Sequence, residues 1–213
     1  MGLSVPKQLI EIDGKKVIEY TLSAFERCPL IDEIVVVTRE EDIPAVENAG
    51  KDFLKLRAVV PGGRERFDSV RAGICAASDQ ASFFAIHDGA RMLVTEKEIS
   101  DVVTLAYTTG AATLSTAVTD TVKVVEGTTI LSTPDRSKLK AVQTPQVFER
   151  SLYMRAMENM EKNRLSVTDD CSMVEAIGEK VEIAPGEYTN IKLTTKCDLL
   201  FAKAILEERR KTV

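Results

Sequence analysis

Ala85-Ile86-His87-Asp88-Gly89-Ala90-Arg91 is the stretch around which the chain is organised. A short apolar run, Phe83 to Ile86, ends there in a carboxylate, a glycine and a cation, and His87 is the only histidine of the sequence. Apolar runs of this length are typical of buried strands in parallel sheets. Ligands of open α/β sheets bind at the carboxyl ends of such strands, so Asp88 is the first candidate for chemistry. Taken alone, the stretch is more simply an Asx-turn in which Gly89 supplies an unusual backbone angle.

Strand-like and helix-like segments alternate on both sides of this stretch. Before it, β-branched or apolar runs at 31–38 and 56–60 are each followed by helical spacing, at 40–53 and 66–77. After it, residues 96–107 again have helical spacing. The alternation predicts an α/β fold, namely a Rossmann-like, doubly wound and mostly parallel sheet.

In the second half of the chain, strand-like segments follow one another without a helix between them. Strand-like segments on either side of Glu126-Gly127 predict a β-hairpin that projects from the sheet, within an arm at about 118–142. Further on, we predict a strand at Asn190–Leu193 and a closing amphipathic helix at 196–210. Because no internal repeat or linker interrupts the sequence, we expect residues 1–213 to form a single domain.

Composition excludes several classes of protein. A net charge of −5 and a pI near 5.2 argue against a nucleic-acid partner, although a local basic pocket for an anionic ligand stays open. The four cysteines show no CxxC spacing, which excludes a sequence-local zinc ribbon and favours free thiols. No apolar run is long enough to span a membrane, and no signal peptide is recognisable. We therefore expect a cytoplasmic protein without a membrane partner.

Cations recur in the loops that follow the predicted strands. They are Lys7, Arg64, Arg66, Arg91 and Arg136, and Lys192 is flanked by apolar residues in a predicted strand. On an acidic protein, cations at strand ends indicate a pocket for a polyphosphate, because Lys and Arg pair with phosphate oxygens. For any one of these residues, a solvated surface charge is the simpler interpretation.

Three further features admit both a functional and a structural interpretation. Gly62-Gly63 before a predicted helix is a modest phosphate-binding signal, and Ser69 could cap or donate within that helix start. Thr168-Asp169-Asp170 is most simply a helix N-cap, with a magnesium role as the weaker alternative. His87 could act as a general base, although a lone histidine at a strand end more often makes structural hydrogen bonds.

Seven short motifs occur together in one order. They are Pro6-Lys7-Gln8, Gly62-Gly63-x-x-Arg66-x-x-Ser69-Val70, His87-Asp88-Gly89-Ala90-Arg91, Asp120-Thr121-Val122-Lys123, Asp135-Arg136, Gln143-Thr144-Pro145-Gln146 and Asn190-Ile191-Lys192-Leu193-Thr194. Over nearly its whole length the chain thus resembles the 2-C-methyl-D-erythritol 4-phosphate cytidylyltransferase family of the non-mevalonate isoprenoid pathway. The resemblance implies a nucleotidyltransferase fold. It also implies transfer of CMP from CTP to methylerythritol phosphate with release of pyrophosphate.

The resemblance also implies a role for each matched residue. Lys7 and Lys192 would be catalytic and would stabilise the triphosphate and the transition-state charge from opposite sides. The nucleotide would be bound by Gly62, Gly63, Arg66, Ser69 and Asp88. The second substrate would be bound by Asp88, Arg91, Thr121, Arg136 and Lys192. Mg²⁺ would be the cofactor, held through the CTP phosphates with Asp88 nearby. Because the family's hairpin arm embraces a second subunit, Thr121 and Arg136 are expected to act across a homodimer interface.

The sequence departs from the family pattern at its start. The family begins with an apolar strand and a glycine-rich phosphate loop, and neither is recognisable before Pro6. We therefore expect exposed edges on the strands beside the missing one, and weak binding of CTP by this chain. A smaller departure is Met92, which stands where the family usually has proline.

Two other functions stay open at this point. A cytidylyltransferase acting on ribitol 5-phosphate or a related pentitol phosphate would share the fold and most of the motifs, although Ser69-Val70 and Asp135-Arg136 fit the methylerythritol enzymes better. A non-catalytic nucleotide-binding homologue would retain the pocket without releasing pyrophosphate. A generic Rossmann dehydrogenase is disfavoured, because no GxGxxG motif follows a predicted strand.

Overall fold

Strands and helices alternate along the part of the chain that the computed structural model describes, residues 6–163 and 167–211. In order, the elements are β1 (Glu11–Ile12), β2 (Lys15–Lys16), α1 (Val17–Arg27), β3 (Ile34–Thr38), α2 (Ile43–Gly50), β4 (Leu56–Pro61), α3 (Arg66–Ala76), β5 (Phe83–Ile86), α4 (Glu96–Thr109), β6 (Ala111–Ala117), β7 (Val124–Glu126), β8 (Thr129–Ser132), β9 (Lys140–Glu149), α5 (Arg150–Asn163), α6 (Asp170–Glu175), β10 (Glu182–Pro185) and α7 (Lys196–Lys211).

The strands form a mainly parallel arrangement with one reversed member. Four of them follow the order β10-β6-β9-β5, in which β10 and β6 are parallel while β9 is antiparallel to both of its neighbours. The parallel pair β3-β4 stands beside this sheet, and α3 carries the chain from β4 to β5. Such crossovers join strands that run in the same direction. The predicted α/β fold is confirmed.

Apolar side chains cover the sheet on both faces. On β5, Phe84 belongs to one buried cluster with Phe148 and Tyr153, whereas Phe83 and Ala85 pack against another cluster. This division follows from strand geometry, because successive side chains point to opposite faces. The sheet is therefore buried on two sides, and polar side chains at the carboxyl end of β5 are held by a rigid frame.

Helix α4, which follows the central stretch, has a well-defined cap at each end. The Thr95 hydroxyl accepts from the Glu98 N–H at 3.2 Å, and the Glu98 carboxylate accepts from the Thr95 N–H at 2.9 Å, which is a capping box. Gly110 ends α4 with φ 82°, a conformation that favours glycine. The buried Glu98 also accepts from the Glu187 N–H at 2.9 Å and thereby ties α4 to the segment after β10.

The hairpin formed by β7 and β8 lies apart from the main sheet. The two strands pair with each other, and all of their residues are exposed, including Val125, Ile130 and Leu131. Strand β9 connects this region to the core, because its first three residues are exposed and the next six are buried. A role for the hairpin as a dimerisation arm stays a prediction.

One predicted strand is wrong. Asn190–Leu193 is an irregular loop, in which the Ile191 N–H bonds to the Thr189 carbonyl at 2.8 Å and the Leu193 N–H bonds to the Ala90 carbonyl at 3.0 Å. A short apolar run with one cation gives no periodicity that separates a strand from a buried loop. Among the described helices, none combines the length and the apolar character that a membrane span needs.

Candidate active site

Asp88 lies at the carboxyl end of β5, between two cations. Its Oδ2 accepts a hydrogen bond from Lys192 Nζ at 2.9 Å and lies 3.6 Å from Arg91 Nε. Its backbone N–H donates to Thr144 Oγ1 at 3.1 Å, which fixes the carboxylate relative to β9. The structure therefore brings together three of the residues that the sequence singled out.

Charge decides the protonation state of Asp88. Partial burial by itself would raise its pKa, but the hydrogen bond and charge of Lys192, together with the charge of Arg91, outweigh burial and lower the pKa below its usual value. Asp88 is therefore ionised at neutral pH and holds two cations side by side. Because the Lys192 side chain is 46% exposed, its ammonium group remains accessible to a ligand.

The loop that carries Lys192 is anchored on both sides. Asn190, which is fully buried, donates from Nδ2 to the Thr144 carbonyl at 3.1 Å, and its own carbonyl accepts from Arg91 Nη1 at 2.8 Å. Leu193 is fully buried on the other side. Sequence reasoning assigned no role to Asn190 or Thr144. An amide side chain directly beside apolar residues is the signal that could have identified Asn190, since most buried polar side chains are hydrogen-bonded to another part of the fold.

His87 has a structural environment. Its Nε2 lies 3.2 Å from the Arg91 carbonyl and its Nδ1 lies 3.0 Å from Thr144 Oγ1, so Nε2 donates to the carbonyl and Nδ1 accepts from the hydroxyl. The ring also packs against Phe25 at a centroid distance of 4.9 Å. Burial lowers the pKa of His87 to about 4. The ring is therefore neutral near pH 7 with both nitrogens engaged, which disfavours the general-base interpretation.

The buried His87 predicts a loss of stability in mild acid. Its pKa falls from 6.5 to about 4 on folding, so the unfolded chain binds the proton first as the pH drops. The free energy of folding that depends on the neutral His87 is fully present above pH 6.5 and is lost progressively as the pH falls toward 4. We expect the free energy of unfolding, measured by urea titration, to be about 2 kcal/mol lower at pH 5 than at pH 7.5.

The variant His87→Gln is the matched control for this pH effect, because His87 is the only histidine. It should lose most of the pH dependence between 6.5 and 5, where carboxylates contribute little. An equally steep dependence in the variant would show that the imidazole is not the responsible group.

A second wall of the site is built from the start of α3. Arg66 Nη2 forms an ion pair with Asp170 Oδ2, and Asp170 is 1% exposed. The other oxygen of Asp170 accepts from the Tyr153 hydroxyl at 2.6 Å. Burial alone would lower the pKa of Arg66, but its bond to Asp170 and the charge of Asp88 raise it. Arg66 is thus a cation that Asp170 holds in place, and it lines the same cavity as Asp88, the carboxylate that binds Lys192.

The side chain of Gln146 holds the Asp170 segment in place. Its Oε1 accepts from the N–H groups of Asp170 and Cys171 at 3.1 and 3.2 Å, and its Nε2 donates to Asp169 at 2.8 Å. Asp169 is the N-cap of α6, as the sequence predicts. The partnership of Asp170 with Arg66 was missed, because 104 residues separate the two in the chain.

The two glycines before α3 permit a close approach of the loop to the helix. A Cβ on Gly62 would lie 2.7 Å from Ser69 Oγ, and one on Gly63 would lie 2.1 Å from the Asp68 Cβ. The Gly63 N–H donates to Ser69 Oγ at 3.2 Å. Ser69 therefore organises this loop from within α3, which agrees with the predicted local role of a helix-start serine.

One cavity is shared by three of the predicted site residues, Arg66, Ser69 and Asp88. Gln8, Arg66, Ser69 and Asp88 line a space of about 980 Å³. Lys7 begins the 3₁₀ turn Lys7–Leu9 next to Gln8, whose Nε2 donates to Thr38 Oγ1 at 3.3 Å. Gln8, near the start of the described chain, thus lies in the same cavity lining as Thr38 at the end of β3 and Asp88 after β5.

Thr121 and Arg136 lie away from this group. Both are exposed, and Arg136 Nη1 donates to the Thr119 carbonyl at 2.6 Å. Within the described residues of one chain, neither makes a hydrogen bond or ion pair with the Asp88 cluster. The described side chains also contain no group of three His, Cys, Asp or Glu that could hold a metal ion.

Together the fold and the site define a class of protein. An α/β sheet that carries one ionised carboxylate and several cations at its strand ends is suited to a phosphorylated, nucleotide-like ligand. The IspD family model, described as 2-C-methyl-D-erythritol 4-phosphate cytidylyltransferase, matches residues 1–208. The chain therefore belongs to this family.

Individual relatives agree with the family match. A 2-C-methyl-D-erythritol 4-phosphate cytidylyltransferase of Halalkalibacterium halodurans is 44% identical over 207 residues, covering 96% of this chain and 90% of the relative. That of Desulforamulus reducens is 40% identical and covers 98% of this chain and 91% of the relative. The crystal structure of a 4-diphosphocytidyl-2C-methyl-D-erythritol synthase from Anaerococcus prevotii is similar with a TM-score of 0.89, at 32% identity over 94% of this chain and 93% of that one.

Proposed function

We propose that the protein transfers CMP from CTP to 2-C-methyl-D-erythritol 4-phosphate and releases pyrophosphate, a step in isoprenoid biosynthesis. The observation that carries this proposal is the Lys192–Asp88–Arg91 cluster at the carboxyl end of β5 in a chain of this family. The cluster offers two cations on a fixed carboxylate, and the exposed face of Lys192 is suited to phosphate oxygens.

The chemistry is an in-line substitution at phosphorus. A phosphate oxygen of the sugar-alcohol phosphate forms a bond to the α-phosphorus of CTP, and the bond from that phosphorus to the bridging oxygen of pyrophosphate breaks. The attacking oxygen is already anionic, so no general base is needed, in keeping with the neutral His87. Such reactions depend on positioning and on neutralising charge in the transition state.

Each candidate residue has a place in this reaction. Lys192 and Lys7 would stabilise the charge that develops on the triphosphate, and Asp88 would orient Lys192 and the substrate. Arg66, Ser69 and the loop at Gly62-Gly63 would hold the nucleotide, with Arg66 kept in place by Asp170. Arg91 would support the second substrate from the other side of Asp88.

A magnesium ion fits this site as a companion of the nucleotide. Mg²⁺ is usually bound through one or two carboxylates plus substrate phosphates, and Asp88 is the carboxylate beside the cation cluster. When bound, the ion would neutralise charge on the phosphates. The residues of this chain would supply the carboxylate and the surrounding cations.

We further propose a homodimer in which the hairpin arm reaches the partner's site. The exposed apolar residues Val125, Ile130 and Leu131 support this arrangement, because apolar side chains on a projecting hairpin gain from burial in an interface. Thr121 and Arg136 would then contact the sugar-alcohol phosphate bound to the other subunit. A cytoplasmic location without a nucleic-acid partner completes the proposal. It is supported by four unpaired cysteines and a net charge of −5.

A substrate comparison tests the function. We expect pyrophosphate release from CTP to depend on 2-C-methyl-D-erythritol 4-phosphate. The kcat/KM for this substrate should be at least about a hundredfold above that for ribitol 5-phosphate, because a substrate whose hydroxyls do not match the site leaves polar groups of the site without partners. Coupled detection of pyrophosphate measures both. A preference for ribitol 5-phosphate would assign the chain to the pentitol enzymes. CTP binding in calorimetry without pyrophosphate release from either substrate would favour the non-catalytic homologue.

A further inference from the structure

Arg209, in the last turn of α7, bridges the two segments that carry the charges of the active site. Its Nη2 donates to the Leu93 carbonyl at 2.9 Å and to the Thr189 hydroxyl at 3.2 Å. Leu93 follows Arg91 closely in the chain, and Thr189 closely precedes Lys192. One guanidinium nitrogen therefore links the segment after β5 to the loop that holds the lysine.

The Thr189 hydroxyl continues this link within its own loop. It donates to Glu187 Oε2 at 3.1 Å, and the Glu187 carbonyl accepts from the Asn190 N–H at 3.0 Å. The Glu187 N–H in turn donates to the buried Glu98 carboxylate of α4 at 2.9 Å. The loop before Lys192 is thus held by side chains of two helices, α4 and α7.

Two further hydrogen bonds join the same two segments directly. Arg91 Nη1 donates to the Asn190 carbonyl at 2.8 Å, and the Leu193 N–H donates to the Ala90 carbonyl at 3.0 Å. Both are made by groups of the segments themselves. Arg209 differs because it belongs to a third element, the closing helix, and so attaches both segments to the body of the fold.

The surroundings of Arg209 make its two hydrogen bonds effective. The side chain is half-buried, and Leu93 is fully buried, which limits competition from water for the Leu93 carbonyl. Hydrogen bonds from a charged donor are roughly twice as strong as those between neutral groups. Truncation of Arg209 would therefore leave the carbonyl of a buried residue without this partner, at a cost to the local structure.

A role within α7 alone does not account for this geometry. Cations in the last turn of a helix stabilise it against its dipole, and Arg209, Arg210 and Lys211 share that position. Arg210, however, pairs with Asp13 at 2.6 Å, in the turn between β1 and β2. Within the described residues, its side chain makes no hydrogen bond to either active-site segment. Of these two neighbours, only Arg209 contacts the loops that flank Asp88.

We propose that Arg209 is a positioning residue, which holds Lys192 in register with Asp88 from behind the active site. The inference rests on the proposed function, because that function gives Lys192 its role in the transition state. Without the guanidinium, the loop at Thr189 would shift relative to Leu93, and Lys192 would occupy its productive position less often. Because Lys192 acts on charge that develops during the reaction, kcat should fall while the KM values change little.

Steady-state kinetics test this role with a matched control. Arg209→Ala should lower kcat about tenfold, whereas Arg210→Ala, in the same helical turn, should leave kcat unchanged. The two variants remove the same charge from the helix end, so their difference isolates the contacts of Arg209. Equal kcat values for the two variants, or a rise in the KM values alone, would overturn the proposal.

A double substitution separates positioning from general damage to the fold. If Arg209 acts through Lys192, Arg209→Ala should lower kcat little further in a chain that already carries Lys192→Ala. Two losses that multiply would show that Arg209 supports the site by some other route and would overturn the proposal.

The variant Thr189→Val tests the same link with the arginine in place. It removes the hydroxyl that accepts from Arg209 and leaves the guanidinium bonded to Leu93, so it remains informative if Arg209→Ala fails to fold. We expect kcat to fall about threefold. An unchanged kcat in Thr189→Val would contradict the proposed link.

Amide hydrogen exchange provides a measurement that needs neither CTP nor turnover. In Arg209→Ala the N–H groups of Asn190 and Leu193 should exchange about tenfold faster, while the Gly110 N–H at the end of α4 should keep its rate. Unchanged exchange at Asn190 and Leu193, in a protein that turns over normally without the substitution, would refute the role of Arg209 alone. Faster exchange in the variant of a protein that shows no turnover would instead refute the proposed enzymatic function.

Discussion

Lys192→Ala should lower kcat by about a thousandfold while the fold remains intact, because loss of one preorganised charge at a phosphoryl transition state has effects of this order. The ammonium group is anchored by Asp88 at 2.9 Å and is 46% exposed, so its removal opens no buried cavity. Steady-state pyrophosphate release measures the rate. Thermal unfolding checks that the variant stays folded.

The control for this variant is Lys196→Ala. Lys196 is an exposed cation four residues further along, at the start of α7. It should retain normal turnover. If Lys192→Ala also retained a kcat within a few-fold of the unchanged protein, the catalytic role of this lysine would be refuted.

Arg136→Ala should raise the KM for the sugar-alcohol phosphate by about a hundredfold and leave the KM for CTP nearly unchanged, because a bidentate Arg–phosphate contact is strong and specific. Arg136 is exposed, and within the described residues its side chain donates one hydrogen bond, to the Thr119 carbonyl, so the substitution should cost the fold little stability. Lys138→Ala, in the same exposed turn, should behave like the unchanged protein. A rise confined to the KM for CTP would contradict the assignment.

Mixing two impaired variants, at a sugar-alcohol phosphate concentration far below the raised KM of Arg136→Ala, tests whether Arg136 acts across subunits. If each site combines Lys192 of one subunit with Arg136 of the other, random dimers of Lys192→Ala and Arg136→Ala chains should recover roughly a quarter of full activity. Half of the dimers would be mixed, and each would hold one complete site. No recovery, with mixed dimers demonstrated by tagged copurification, would place both residues in the site of a single subunit.

The local patterns of this chain predicted its elements well. The helical spacing at 66–77, the β-branched run of β3 and the Phe83–Ile86 strand appear where periodicity and β-branching predict them. These features depend on neighbours a few residues apart, which a sequence displays directly. Asp88 and Arg91 belong to this level as well, because three positions separate them along one turn.

Contacts between distant segments could not be predicted in this way. Lys192 was assigned to a strand, but it lies in a loop that Asn190 and Leu193 anchor against residues about a hundred positions earlier. The pairing of Arg66 with Asp170 has the same character. Such contacts depend on how helices and strands pack, and no local pattern encodes them.

For this protein, the sequence by itself determined the α/β fold and the order of its motifs, because hydrophobic period and turn chemistry are local properties. The tertiary structure alone decided which charges face one another and that His87 is buried and neutral. It also decided that Arg209 of α7 contacts the loop that carries Lys192, since contacts, electrostatics and burial depend on distances through space.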